Sequence, residues 1–202
     1  MKFLLTFFIL TIASSTVAQK FSDSYKPGDE LYVCSSEGIS LRPAPDAKCT
    51  KIMVVPFATA VKVLPDSGTR VKFVSTGISG TWVKVSAEGK EGYVFDGFIS
   101  RLKPWAPQED VDYSPMRSGA IVSYLKAAFT VKAETKNDKQ FEEKWTVTFT
   151  NGVEFNSSFH SVIEVSFPVN VLTFQETFLL ARSFYPFLFQ TCPYKENDFV
   201  CV

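Results

Sequence analysis

The chain has 202 residues, 46% of them hydrophobic and 21% charged, an ordinary globular composition that excludes a disordered chain and leaves room for one or two small domains. Lys+Arg and Asp+Glu both total 21, so no net field draws the protein to nucleic acid, an anionic membrane surface or an acidic polymer.

Residues 1–18 read as a signal peptide. Lys2 is a minimal positive region, residues 3–13 form an apolar stretch too short to span a bilayer, and Thr16-Val17-Ala18 supplies the small residues a signal peptidase inspects. Ser14, Ser15 and Thr16 interrupt the apolar run too early for a retained anchor helix, and no cysteine at the cleavage point offers a lipoprotein anchor. The expectation is an exported protein, periplasmic or secreted, that begins at Gln19 and has no integral membrane segment after cleavage. In an oxidising compartment the four cysteines read most simply as two local disulfides, Cys34 with Cys49 and Cys192 with Cys201. A loop of about 15 residues closed in this way contributes roughly 3 kcal/mol in the chain-entropy model.

Pro27-Gly28 opens the first folded region, and Lys103-Pro104-Trp105-Ala106-Pro107 closes it, because two prolines so near each other resist both helix and ladder. Between them lie short β-rich runs at residues 31–34, 39–42, 52–55, 60–64, 71–75, 81–85 and 91–95, separated by turn residues. Strands this short and this often punctuated predict a small all-β barrel or sandwich. Ile39 and Leu41 alternate inward before Arg42 and a proline-bent loop, and Trp82-Val83-Lys84-Val85 alternates as well.

This stretch resembles the bacterial SH3 family. The resemblance is carried by Gly38-Ile39-Ser40-Leu41-Arg42-Pro43, by the central step Pro56-Phe57-Ala58-Thr59-Ala60-Val61, by Trp82-Val83-Lys84-Val85 and by the finish Gly92-Tyr93-Val94-Phe95-Asp96-Gly97. Two departures stand out: Ala58 replaces the usual glycine of the central step, and an insertion around residues 68–80 lengthens the strand before Trp82. The resemblance implies a small barrel that binds a peptide or peptidoglycan-like cell-wall material. Trp82, Tyr93 and Phe95 are candidate ligand platforms, and Arg42 a candidate clamp for a carboxylate. Core packing of Trp82 and Tyr93, and a structural ion pair for Arg42, are the competing readings.

After a linker at 104–112 the pattern changes. Ser114-Pro115 reads as an N-cap with proline at the first helical position, and Met116, Ala120, Ile121, Tyr124, Leu125, Ala128 and Phe129 form an apolar stripe at helical period. Residues 132–144 carry mixed charge and read as a solvated loop or hairpin tip, with a protein partner as the alternative. Trp145, Val147 and Phe149 then alternate, Asn151-Gly152 supplies a tight turn, and Val153 and Phe155 resume, which predicts a hairpin. A strand at Ile163, Val165 and Phe167 follows, and Thr173-Phe174-Gln175-Glu176 is a capping box that opens a helix running to about Tyr185. The run Phe184-Tyr185-Pro186-Phe187-Leu188-Phe189 reads as core, or as a sticky surface. The expected fold class is therefore mainly β: a small SH3-like β-barrel at 28–103 followed by a small α+β domain at 113–202.

No catalytic constellation emerges. Cell-wall peptidases need a thiolate with a histidine base, and zinc amidases need several ligands, but the chain holds one histidine, His160, in a serine-rich turn. The carboxylates Asp23, Glu109, Asp110, Asp112, Glu142, Glu143 and Glu154 show no spacing that opposes two of them across a cleft, and no phosphate-cradling glycine loop is present. No cofactor and no metal are expected. The sequence points to a non-catalytic binding protein, with an envelope hydrolase, a hydrolase remnant, or a structural or inhibitory partner protein as alternatives.

Overall fold

The computed structural model describes residues 25–68, 70–75, 77–106, 118–137, 143–158, 163–168 and 170–184. They fall into two compact units, one built from residues 25–106 together with 172–184, the other from the described residues between 118 and 171. The expected signal peptide, His160, Cys192 and Cys201 lie outside the described residues.

The first unit is a curled antiparallel sheet. Its strands are β1 (Glu30–Val33), β2 (Ile39–Leu41), β3 (Met53–Val55), β4 (Ala60–Val63), β5 (Lys72–Ser75), β6 (Ile78–Ala87), β7 (Lys90–Phe95) and β8 (Ile99–Ser100), with a 3₁₀ turn at Asp96–Phe98. The main sheet runs β5-β6-β4-β1-β8, β7 pairs with β6, and β2 pairs with β3. Arg42, just after β2, bridges to Tyr93 of β7 and joins the β2–β3 hairpin to the rest. Alternation places Leu31, Val33, Leu41, Val55, Val61, Val63, Val83, Val85, Val94 and Ile99 inside. These aliphatic side chains suit a narrow barrel, since β-branched residues pack closely on a pleated surface.

Three details explain the local path. Glu88 and Gly89 both have positive φ, 49° and 76°, the backbone of a type I′ turn whose twist matches that of β6 and β7. Ala58, where the family's central step carries glycine, has φ 60°, a conformation that glycine adopts more cheaply. Trp82 N–H donates to the Val71 carbonyl and Leu64 N–H to the Lys84 carbonyl. These contacts fall on alternate residues along one edge of β6, so β5 continues along the edge that β4 occupies. The insertion at 68–80, expected to lengthen the strand before Trp82, holds strand β5 and the first part of a long β6.

Two expectations need correction in this unit. Cys34 and Cys49 are free thiols rather than a disulfide. Cys34 follows β1, where its N–H donates to the Phe98 carbonyl, whereas Cys49 sits in the β2–β3 connection under the Arg42 guanidinium, so the two are held on different parts of the barrel. Burial, with the nearby Glu176 carboxylate, pushes the Cys34 thiol up to about 12, and it keeps its proton at neutral pH.

The second correction concerns the helix α2 (Phe174–Phe184), which belongs with the barrel and not with residues 113–171. The capping box forms as expected: Thr173 N–H donates to Glu176 Oε2 at 2.9 Å and Glu176 N–H to Thr173 Oγ1 at 3.2 Å. Glu176 is fully buried, and Arg101 donates to it from both backbone and side chain, Nη1 to Oε2 at 2.8 Å. Gln175 Nε2 donates to the Asp96 carbonyl at 3.2 Å, and Phe178 and Leu179 enter the barrel's core. Trp105 stacks on Phe184 at 5.6 Å. Two buried polar residues in one helical turn therefore find partners in the barrel, as burial requires.

The second unit places α1 (Ser118–Ala128) before a four-stranded antiparallel sheet of β9 (Val131–Asn137), β10 (Lys144–Phe149), β11 (Glu154–Ser158) and β12 (Ile163–Ser166), in the order β12-β11-β10-β9. Ile121, Val122 and Leu125 of the helix and Val147, Phe149, Val153, Phe155 and Ile163 of the sheet region are buried, and Phe129 meets Phe149 and Phe167. Gly152, φ 85°, makes the expected hairpin turn. The charged run expected as a solvated loop or hairpin tip is strand β9 up to Asn137, exposed along its whole length and paired antiparallel with β10. Its register is fixed from the side: Glu134 accepts from Lys126 Nζ of α1 and from Trp145 Nε1 of β10, both at 2.8 Å.

Candidate functional site

Cross-strand register sorts the four candidate residues of the barrel onto one face. Trp82 faces Phe95 and Lys84 faces Tyr93 across β6 and β7, and Tyr93 faces Arg42, so these residues share the hairpin face opposite Val83, Val85 and Val94, with Tyr93 half-buried against the core cluster. One end of this face is covered and the other is open.

At the covered end Phe73 of β5 lies against both aromatic rings, 5.3 Å from Trp82 and 5.2 Å from Phe95, the latter edge-on. Phe98 closes on Phe95 from the 3₁₀ turn at 5.5 Å. Such spacings are those of favourable aromatic pairs. Trp82 and Phe95 are each 4% exposed as a result. Both belong to the unit's hydrophobic core cluster, and the candidate platform is occupied by the protein's own phenylalanines.

Asp96 fixes the geometry there. Its Oδ1 accepts the Thr81 N–H and its Oδ2 the Thr81 hydroxyl, both at 2.6 Å, so a carboxylate ends the β6–β7 ladder where the strand partner turns away. A side chain at Gly80 would collide with Asp96 Oδ1 and the Phe95 ring, which is why glycine stands at that position. Burial raises the Asp96 carboxyl to about 6, opposed by the Thr81 hydrogen bonds and the positive Arg70.

The open end holds Arg42 and Tyr93, both half-buried. Their backbones exchange two hydrogen bonds, Arg42 N–H to the Tyr93 carbonyl at 2.9 Å and the reverse at 2.7 Å, which holds them side by side. Arg42 Nη1 donates to the Cys49 carbonyl, orienting a guanidinium with five N–H donors at the surface. Lys84 lies beyond Tyr93 and pairs with exposed Glu91 at 3.5 Å, a contact of little energetic weight. A flat phenol beside an oriented cation suits a ligand that carries a planar or carboxylate group.

The structure thus brings Arg42 and Tyr93 together at the surface and places Trp82 and Phe95 in the core. Sequence reasoning missed Phe73, Phe98 and Asp96. Phe73 stood in the middle of a predicted strand and Asp96 directly after one, but nothing local told which rings they would meet. Among the described residues no group of three or more His, Cys, Asp and Glu side chains gathers to hold a metal ion, and no helix is long and apolar enough to cross a membrane.

The family model of the bacterial SH3 domain matches residues 37–100, within the 28–103 segment marked by the residue pattern. This covers β2 through β8 and all four candidate residues. No curated protein and no solved structure matches the chain.

Proposed function

We propose that the bacterial SH3 domain at residues 37–100 serves an exported, non-catalytic binding protein whose ligand is a peptide or peptidoglycan-like cell-wall material. The family match makes a binding module the premise. The observation that carries the finer reading is the locked pair of Arg42 and Tyr93 at the open end of the β6–β7 face, where a phenol ring and an oriented guanidinium present themselves together. Both groups recognise ligands without chemistry: the ring offers area at low entropic cost, the guanidinium a fork for a carboxylate. Peptidoglycan stem peptides supply such carboxylates.

The test uses the full mature chain and purified peptidoglycan in a sedimentation assay. Retention of the wild type, weakened about tenfold by Tyr93→Ala or Arg42→Ala in variants that remain folded, is the expected result. Equal retention of wild type and both variants, or none at all, overturns the reading. Export is checked separately by mass spectrometry of the protein recovered outside the cytoplasm, which should begin at Gln19.

A further inference from the structure

The chemistry that fills the covered end of the β6–β7 face is that of a peptide. β5 lies extended along the edge of β6, from Lys72↔Thr81 to Ser75↔Ile78, and directs one phenyl ring into the seat made by Trp82, Phe95 and Phe98. The other rings of the seat are carried by the β6–β7 hairpin and the 3₁₀ turn. Trp82 and Phe95 are paired with each other across the β6–β7 hairpin, Phe98 is set by the 3₁₀ turn, and Asp96 pins that turn to Thr81. Gly80, with no side chain, lets Asp96 and the Phe95 ring pack close beside it.

The strand over it is lightly held. β5 has four residues and is the terminal strand of its sheet. Val71 just before it and Val74 within it face solvent at 44% and 61% exposure, so Phe73 is the apolar side chain of β5 packed against the core. Residues 65–68, which lead into it, are exposed and contain Pro65 and Gly68. On its near side the Val71 carbonyl takes the Trp82 N–H, and Arg70 Nη2 donates to the Tyr25 carbonyl at 2.7 Å.

We infer that the Phe73 seat is a binding slot for an extended peptide bearing an aromatic side chain, and that β5 is a strap which fills the slot in cis and is displaced along β6 when such a peptide binds. Strand addition would supply the main-chain hydrogen bonds and the ring would supply the anchor. A tethered occupant competes at millimolar effective concentration, so the wild type answers only to a partner able to outbid its own Phe73. The slot is separate from the Arg42–Tyr93 surface, and the inference does not depend on cell-wall binding there.

The experiment uses the full chain and a synthetic capped peptide of the strap's own sequence, Arg-Val-Lys-Phe-Val-Ser. Phe73→Ala should bind it at least about tenfold more tightly than the wild type, read from the Trp82 indole resonance, while Phe73→Leu, which refills the seat, should not. A peptide with alanine for phenylalanine should bind neither. Equal affinity of wild type and Phe73→Ala, or indifference to the peptide's ring, overturns the inference. Hydrogen exchange on the wild type decides the matter if Phe73→Ala fails to fold. The Trp82 amide, bonded to strap residue Val71, should exchange at least about tenfold faster than the Leu64 amide bonded to Lys84. Matched protection of the two would mean that the strap opens only when the barrel does, and would sink the proposal.

Discussion

The two ends of the β6–β7 face start from similar sequence and meet different fates. At one end Trp82 and Phe95, at the other Tyr93, lie on the same side of the β6–β7 hairpin, with Arg42 bridged to Tyr93 from the end of β2. The first pair is sealed by Phe73 and Phe98, whereas the second stays at the surface with its backbones bonded to each other. An aromatic residue on an outward strand position is thus no guide to its use. What decides is whether another segment of chain is long enough to come back over it, and here β5 reaches one end only.

The largest expected effect breaks this comparison directly. Trp82→Ala should cost about 3–5 kcal/mol of folding stability, because it removes a buried indole packed against Phe73 and paired with Phe95. Tyr93→Ala, half-exposed on the same face, should cost under about 1.5 kcal/mol. Urea denaturation of the two variants settles the matter. Near-equal losses would mean that the open end is as much core as the covered one, and the Arg42–Tyr93 surface would lose its standing as a site.

The next effect concerns the acid that shapes the covered end. Burial raises the Asp96 carboxyl from its ordinary value of 3.8 to about 6, so the folded protein holds that proton more tightly than the unfolded chain does. The contribution of this group is therefore fully present below pH 3.8 and is lost as the pH rises through about 6, by at most about 1.4 kcal/mol per pH unit. Asp96→Asn keeps an acceptor for the Thr81 amide and removes the titration. Plotted against pH from 4 to 7, the stability of the wild type relative to this variant should fall and then level off. A rise over the same range would show that the Thr81 hydrogen bonds outweigh burial and hold the carboxylate in its charged form.

Much of the barrel was legible because its strands are short, alternating and separated by strong turn residues. The runs at 39–42, 52–55, 60–64 and 91–95 contain the observed β2, β3, β4 and most of β7. The capping box of α2 was equally plain, since Thr173 and Glu176 signal to each other across three residues. Its destination was not, because the partners of Gln175 and Glu176, the Asp96 carbonyl and Arg101, are about 75 residues away in sequence. Strand β9 was missed for a different reason. Its seven residues are all exposed, so no hydrophobic period marks it, and its place is set by pairing with β10 and by Glu134. At the site, the family outline found Arg42, Trp82, Tyr93 and Phe95, but their division into covered and open pairs depends on Phe73, whose reach no local pattern encodes.

The smallest expected effect sharpens the comparison at the turn nearest the open end. Glu88, φ 49°, pays a steric cost in the type I′ turn that Asn bears more easily, since its short side chain bonds locally in the left-handed region. Glu88→Asn should stabilise the protein by about 0.5 kcal/mol. Ala58→Gly, at φ 60° in a separate turn, relieves the same kind of strain and should gain about 1 kcal/mol, offset in part by the freer unfolded chain. Both gains are read as shifts in the urea midpoint at constant slope. The turn at Glu88 belongs to the hairpin and that at Ala58 does not, so only Glu88→Asn should slow exchange of the Ala87 and Lys90 amides, and neither should alter exchange at Trp82. If tightening the turn also protected Trp82, the hairpin would open as one piece from turn to strap, and the two ends of its face would be a single cooperative unit rather than two.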